Sequence, residues 1–308
     1  MGKLIVSRLF ILISALIWGS SFVAQVVGME HLGPLSFISV RYIIGTAAVF
    51  IMAFIIDLRR PSESTSKEED SAIKRKEWRE AIKGGIVCGI FLFGGSCLQQ
   101  AGLQYTQAGK AAFLTAMYII IVPIIEMASG KRFGAKTWIT AISAVADIYI
   151  LSITETFTIN RGDIMMLAGT LFWAMHIISC DKFSKGRNPI KLSAIQFAAS
   201  AAIATAAALA FETVTFSAIR SSIIPTAYAG IMCTGVAYTF QMIGQKNLSP
   251  VETSLLLTTE TLFALAAAIL LLGESMTLRE SIGCTVLFVS VVAAQIPDST
   301  MKLFKFKK

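Results

Sequence analysis

One carboxylate, Glu260, stands near the middle of the apolar stretch Ser249–Glu274. An acid at the centre of a membrane helix costs roughly 2.5–3.5 kcal/mol on insertion scales. Such residues face a bundle interior or a water-filled cavity. Two chemistries fit a carboxylate there: holding a cationic group or carrying a coupling proton. The bland alternative is a permanent pairing with a basic side chain. His176 is a second candidate proton carrier, because an imidazole ordinarily titrates near neutral pH; its alternative is a simple hydrogen bond.

Other polar residues fall into stripes at helical spacing. Ser14, Trp18, Ser21 and Gln25 share one face, and so do Gly169, Trp173, His176 and Cys180. Thr234, Tyr238, Gln241 and Gln245 form a third stripe, with Ser96, Gln99 and Gln100 on another segment and Thr115 and Tyr118 on a fifth. Rings supply contact area and amides or hydroxyls fix orientation, which suits a small amphipathic metabolite. Trp18 and Trp173 can also stack on a cationic group. The candidate binding residues are therefore Trp18, Ser21, Gln25, Gln99, Tyr118, Trp173, His176, Tyr238, Gln241 and Glu260. Against this stands packing: serine and glutamine also bond between membrane helices, at about 0.6 kcal/mol each. Arg41, Lys110 and Glu126 lie nearer segment ends, where long side chains can reach toward water. Asp147 has no evident role, His31 is a loop residue, and Glu252 belongs to a capping box with Ser249, followed by Pro250 at the first helical position.

The elements that position these residues are membrane spans. Of 308 residues, 55% are hydrophobic and 15% charged, with mean hydropathy +0.70; soluble domains carry about 25% charge. The apolar content runs from end to end. Ten spans are expected near 5–27, 35–56, 84–103, 107–128, 137–153, 163–180, 190–211, 223–245, 250–272 and 280–296. Most of the 27 Lys+Arg fall in loops on one side of that arrangement, against Arg161, Arg220 and Arg279 on the other. This bias puts both termini in the cytoplasm of a multi-pass plasma-membrane protein. The first span, behind Lys3 and Arg8, reads as retained rather than cleaved.

The net charge of +8 is explained by topology and implies no nucleic-acid partner. The five cysteines are scattered through apolar stretches without a Cys-x-x-Cys pair, so they read as buried thiols rather than a metal site or disulfide framework. Asp57–Lys83 reads as a flexible cytoplasmic loop, with a basic amphipathic surface helix around Ala72–Lys83 as the alternative.

The chain also repeats. A shift of 155 residues aligns Trp18 with Trp173, Pro34 with Pro189 and Arg41 with Gln196; a shift of 142 aligns Gln99 with Gln241, Gly102 with Gly244 and Tyr118 with Glu260. Five spans per half is an odd number, so the second half enters the membrane inverted. Inverted repeats mark secondary transporters with a site near mid-membrane. The expected organisation is a first repeat over 1–153, a second over 154–297, and a basic cytoplasmic tail over 298–308.

Several motifs carry a family likeness. They are Trp18-Gly19-Ser20-Ser21-Phe22, Arg41-Tyr42, Phe113-Leu114-Thr115 with Tyr118 and Pro123, and Glu260 with the closing Gly273-Glu274. Together they resemble the drug/metabolite transporter superfamily, most closely its EamA branch. The resemblance implies a central cavity lined by the first, third, fourth, sixth, eighth and ninth helices. It departs from the EamA pattern at Thr261, where proline often follows the glutamate; threonine cannot kink a helix as proline does.

The fold class expected is an all-α membrane protein with ten transmembrane helices in two inverted five-helix repeats. The function expected is secondary transport, outward in direction by the family likeness, of a small organic metabolite such as an amino acid or drug-like compound. Protons are a candidate coupling ion, no cofactor is called for, and monomer and homodimer stay open. A membrane-embedded enzyme is the alternative, but the chain has no His-Glu-x-x-His, no Gly-x-Ser-x-Gly, no Walker loop and only two histidines. A scaffold is a further alternative; it needs no water-accessible cavity, whereas a transporter does.

Overall fold

The computed structural model describes residues 2–59, 67–106, 108–152, 159–272 and 278–295. Pro61–Ser66, Gly273-Glu274, the proposed boundary at 153/154 and the tail 298–308 lie outside the described residues, as do the side chains of Lys110, Asp147 and Cys284. Within them the chain is helical and has no strand.

The first apolar stretch forms α1 (Gly2–Gly19) and α2 (Phe22–Gly28), broken at Ser20-Ser21. Both hydroxyls turn back onto the helix, Ser20 to the Ile17 carbonyl and Ser21 to that of Trp18. Then follow α3 (Pro34–Arg59), α4 (Lys67–Gly102), α5 (Ala108–Ala116), α6 (Tyr118–Ala128) and α7 (Ala135–Ser152). The second half contains α8 (Arg161–Ser184), α9 (Pro189–Phe211), α10 (Phe216–Ser221), α11 (Ile223–Tyr228), a π-helical stretch Ala229–Ala237, α12 (Tyr238–Gln245), α13 (Pro250–Leu257), α14 (Glu260–Leu272) and α15 (Leu278–Gln295). Among the described residues six helical segments are long and apolar enough to cross a bilayer: Gly2–Gly19, Pro34–Arg59, Glu68–Gly102, Arg161–Ser184, Pro189–Phe211 and Ile223–Gln245; Phe113–Ala128 is a shorter apolar one.

Polarity runs inside out. Gln100, Gln196, Gln241 and Gln245 are buried, while Ile51, Phe54, Ile139 and Ile142 are 59–66% exposed. Lipid is the solvent that such a surface fits.

The loop expected over Asp57–Lys83 is a helix from Lys67 onward, continuous with the span that follows. Glu68, Glu69 and Asp70 occupy its first turn, where negative charge meets the positive end of the helix dipole. Tertiary contacts then hold it. Trp78 stacks on Phe50 of α3 with ring centroids 5.3 Å apart, and Glu77 meets Lys191 of α9. Neither contact is visible from local sequence.

The expected cap is present. Ser249 and Glu252 form a reciprocal box at the start of α13, with Pro250 at the first position. Asn160 and Asp163 make a second box at α8. The ninth apolar stretch is nevertheless not one helix, even though threonine, not proline, follows Glu260. Thr258 and Thr259 bond back to the Leu255 and Leu256 carbonyls at 2.6 and 2.7 Å. Such local bonds compete with the helical ladder, and α14 starts afresh at Glu260. The fourth stretch breaks in the same place, one residue before Tyr118. There Pro123 lies four residues beyond Ile119 and supplies no N–H to its carbonyl.

Helices of the two halves interleave. α4 packs on α8 and α9, and α1 and α3 pack on the π-helical stretch, with α12 also against α1. α5 and α6 lie on α8 just as α13 and α14 lie on α1, and α3·α9 and α7·α15 close the pairing. Gly45 of α3 and Gly230 of the π stretch bring their backbones together. A Cβ on Gly45 would sit 2.5 Å from Thr234 and 2.9 Å from the Gly230 carbonyl. Gly45→Val is therefore expected to destabilise the protein by about 1–3 kcal/mol, as overpacking does, read as a lowered unfolding midpoint in detergent.

The antiparallel pair α3·α9 is tied at both ends. At one end the buried Lys191 ammonium lies 2.9 Å from Asp57 and 2.8 Å from Glu77. At the other, the Glu212 carboxylate accepts from the Leu35 and Ser36 amides at 2.9 and 2.8 Å and from the Ser36 hydroxyl. The shift of 155 that aligns the tryptophans carries Ser36 onto Lys191 and Asp57 onto Glu212. One tie thus occurs twice, in two chemistries.

Candidate functional site

Where α1 ends, α14 begins. A Cβ on Gly19 would fall 2.5 Å from the Glu260 carbonyl and 2.8 Å from the Ala264 amide. Glycine at that position lets the broken ends of two helices meet. Beside this junction lies a cavity enclosing about 610 Å³ of non-atom space, open solvent included.

Trp18, Ser21, Gln25, Gln99, Tyr118, Trp173, His176, Tyr238, Gln241 and Glu260 all line it. They come from α1 and α2, α4, α6, α8, α12 and α14. Tyr238 is the hub of the aromatic wall. Its ring lies 4.5 Å from Trp18 in a tilted contact and 6.3 Å from Trp173 in a stacked one. His176 meets both Trp173 and Tyr238 edge-on. The Trp173 indole donates to Gln99 at 3.0 Å. The Trp18 indole donates to the Cys233 carbonyl at 3.1 Å, within the π-helical stretch, an irregularity frequent at functional sites.

Other members of the polar stripes are packing groups. Ser14 bonds the Ala237 carbonyl at 2.8 Å, Gln245 bonds that of Ile177 at 3.0 Å, Gln100 donates to the Met29 sulfur, and Thr234 bonds the Ala229 carbonyl. The imidazole of His176 is hydrogen-bonded too, 3.1 Å from Gln196, with the Cys180 sulfur 3.4 Å away. Cys88, Cys97, Cys180 and Cys233 are free thiols.

Arg41 is the correction that matters most. Its position near a span end suggested a side chain reaching for water. Instead it is 5% exposed and lines the cavity. Its guanidinium lies 4.9 Å from the Tyr42 ring and donates to the Tyr42 and Ser96 hydroxyls at 3.3 Å each. No acid pairs with it among the described residues. The clue in the sequence was Gln196, its repeat partner and a buried residue hydrogen-bonded inside the bundle. Thr115, Ile177, Cys233 and Leu257 complete the lining. Glu126, the other acid expected near a span end, is paired with Lys131.

Glu260 has no hydrogen bond or ion pair among the described residues. The cavity therefore holds one anion-forming and one cationic side chain, each without a counter-ion. Two acceptors, the side-chain carbonyls of Gln25 and Gln241, are buried and unpartnered, as is Nε of Arg41. Such groups cost free energy unless something satisfies them. Among the described residues no cluster of His, Cys, Asp and Glu could hold a metal ion.

The model of the EamA-like transporter family matches residues 6–153 and again residues 160–294. An uncharacterized transporter from Archaeoglobus fulgidus is 27% identical over 283 residues, covering 92% of this chain and 83% of that one. The uncharacterized transporter YoaV of Bacillus subtilis is 20% identical over 87% of this chain and 89% of its own length. For the uncharacterized inner membrane transporter YedA of Escherichia coli K12 the values are 23%, 76% and 72%. A solved crystal structure of 16% identity superposes with a TM-score of 0.72 over 94% of this chain and 96% of that chain, a likeness of fold.

Proposed function

The chain belongs to the EamA-like transporter family, and on that premise we propose that it is a secondary transporter. It moves a small organic metabolite, of amino-acid or drug-like kind, outward across the plasma membrane through the cavity between its halves. A membrane transporter, rather than an enzyme, is what the family and the relatives' names support. The observation that carries the finer reading is the cavity itself, lined from both halves by aromatic, amide and charged groups. A scaffold has no use for it.

We read the architecture as ten spans in two inverted repeats, 1–153 and 154–297, with both termini and the basic tail 298–308 in the cytoplasm. Three features support this. The family model matches twice. Helix contacts come in exchanged pairs. The fourth and ninth stretches break at repeat-equivalent positions, one residue before Tyr118 and Glu260, and discontinuous helices in corresponding positions are typical of transporter sites. The duplicated ties on α3·α9 supply two latches, one per membrane side. Alternating access would release one while keeping the other. Proton antiport, exchange and uniport all fit; Glu260 and His176 are the candidate proton carriers.

Purified protein in liposomes loaded with an unlabelled solute is expected to accumulate the labelled solute against its gradient. A panel of amino acids, cationic drugs, organic anions and sugars covers the chemistry. Failure of every member to show counterflow, with protein inserted and stable, would overturn the transport reading.

A further inference from the structure

A guanidinium and a carboxyl group face one cavity from different helices. Arg41 comes from α3 and Glu260 from the first residue of α14, and both line the same space. They do not meet: no ion pair joins them or either of them to any other described residue. Tyr238 and Cys233 line that space as well. Among the described residues the guanidinium donates only to neutral hydroxyls, and its Nε is unsatisfied. Two buried amide oxygens of the cavity, on Gln25 and Gln241, also have no donor. A low-dielectric site lined by a fixed cation, an unpaired carboxyl group and spare amide acceptors is complementary to a particular ligand. The ligand must bring an acceptor-only anion to one end and a donor-rich cation to the other.

We propose that the cavity selects zwitterions, seating the ligand's carboxylate on Arg41 and its ammonium on Glu260. This rests on the transport reading and sharpens it. Solutes with a single charge leave one cavity charge uncompensated, and neutral sugars leave both. The aromatic wall of Trp18, Trp173 and Tyr238 then receives the substituent, so ligands of amino-acid type with an apolar side chain fit best. Arg41 acts as a specificity residue: a planar fork matches a carboxylate with two parallel bonds.

The test is counterflow in proteoliposomes with the twenty proteinogenic amino acids, then with the methyl ester and the N-acetyl derivative of the best one. A panel of cationic amines, organic anions and sugars runs beside them. The expected result is that a zwitterion is carried at least about 10-fold faster than either single-charge derivative, the loss of one charge-assisted bond. Arg41→Gln should remove the preference for the free carboxylate, bringing the zwitterion down to the level of its ester. Arg41→Lys should restore part of it. A purely structural role would lower all solutes alike, and gel filtration with thermal unfolding identifies a variant that fails to fold. A solute of single charge carried while every zwitterion is refused would overturn the proposal and leave transport standing. The same holds if Arg41→Gln leaves the ratio of zwitterion to ester unchanged. Counterflow of nothing at all would sink the transport reading and the proposal with it.

Discussion

Replacing Glu260 by glutamine is expected to lower transport about 10- to 150-fold while leaving the protein folded. The substitution keeps size and hydrogen-bonding capacity and removes the carboxylate. A hydrogen bond to a charged group contributes about 1.5–3 kcal/mol, which converts to that factor. No protein partner holds Glu260 among the described residues, so the change strands no opposite charge; the capping box at Ser249 and Glu252 is untouched. A stability effect should accordingly be small. Counterflow measured between pH 5 and 9 separates two roles. If Glu260 also carries a coupling proton, the wild-type rate varies with pH and the variant's does not. If the variant transports as wild type does, with the same pH profile, Glu260 is structural. The tryptophans and glutamines then become the next targets.

Lys191→Met is expected to produce the largest loss of stability. The ammonium is 1% exposed and lies within 3 Å of both Asp57 and Glu77, whose side chains are only 15% and 21% exposed. Methionine fills the space but leaves two carboxylates facing each other. Removing one partner of a buried pair typically costs about 3–5 kcal/mol, most of it the stranded charge. Trp78, 5.4 Å from the ammonium, loses its cation as well. The unfolding midpoint in detergent should therefore drop clearly below wild type. Adding Asp57→Asn and Glu77→Gln to Lys191→Met should recover most of the loss, because the acids are then neutral. Unchanged stability in the single variant would mean that the cluster is wet and contributes little. Glu212→Gln, the repeat equivalent of Asp57→Asn, should cost less than Lys191→Met. Its carboxylate is held by backbone amides and a hydroxyl, which an amide oxygen can still engage in part.

The contrast between these two ties shows where sequence reading stops. Ser249, Pro250 and Glu252 declared the start of a helix because a capping box is local chemistry. The helix from Lys67 could not be read so, since Glu77 and Trp78 find their partners at Lys191 and Phe50, on other helices. The helix break before Glu260 was also illegible as a break. Thr258 and Thr259 are tolerated inside many helices, and whether their hydroxyls turn back depends on the packing around them. Arg41 reads as a residue of a span end from its distance along the chain; burial beneath Tyr42 and Ser96 is a fact of helix rotation.

What the sequence determined by itself was the solvent, the stripes and the repetition. Apolar runs admit only lipid, and helical spacing puts Trp18, Ser21 and Gln25 on one face wherever that helix goes. The match of Trp18 to Trp173 exists without any structure. The tertiary structure decided which stripes open on the cavity and which are glue, so that Gln241 lines the site while Gln245, one turn on, bonds a carbonyl. It also decided that Arg41 and Glu260 face the same space unpaired. The physical reason is that each helix fixes its own faces through local geometry, whereas its rotation and depth are set by side chains on distant segments of the chain.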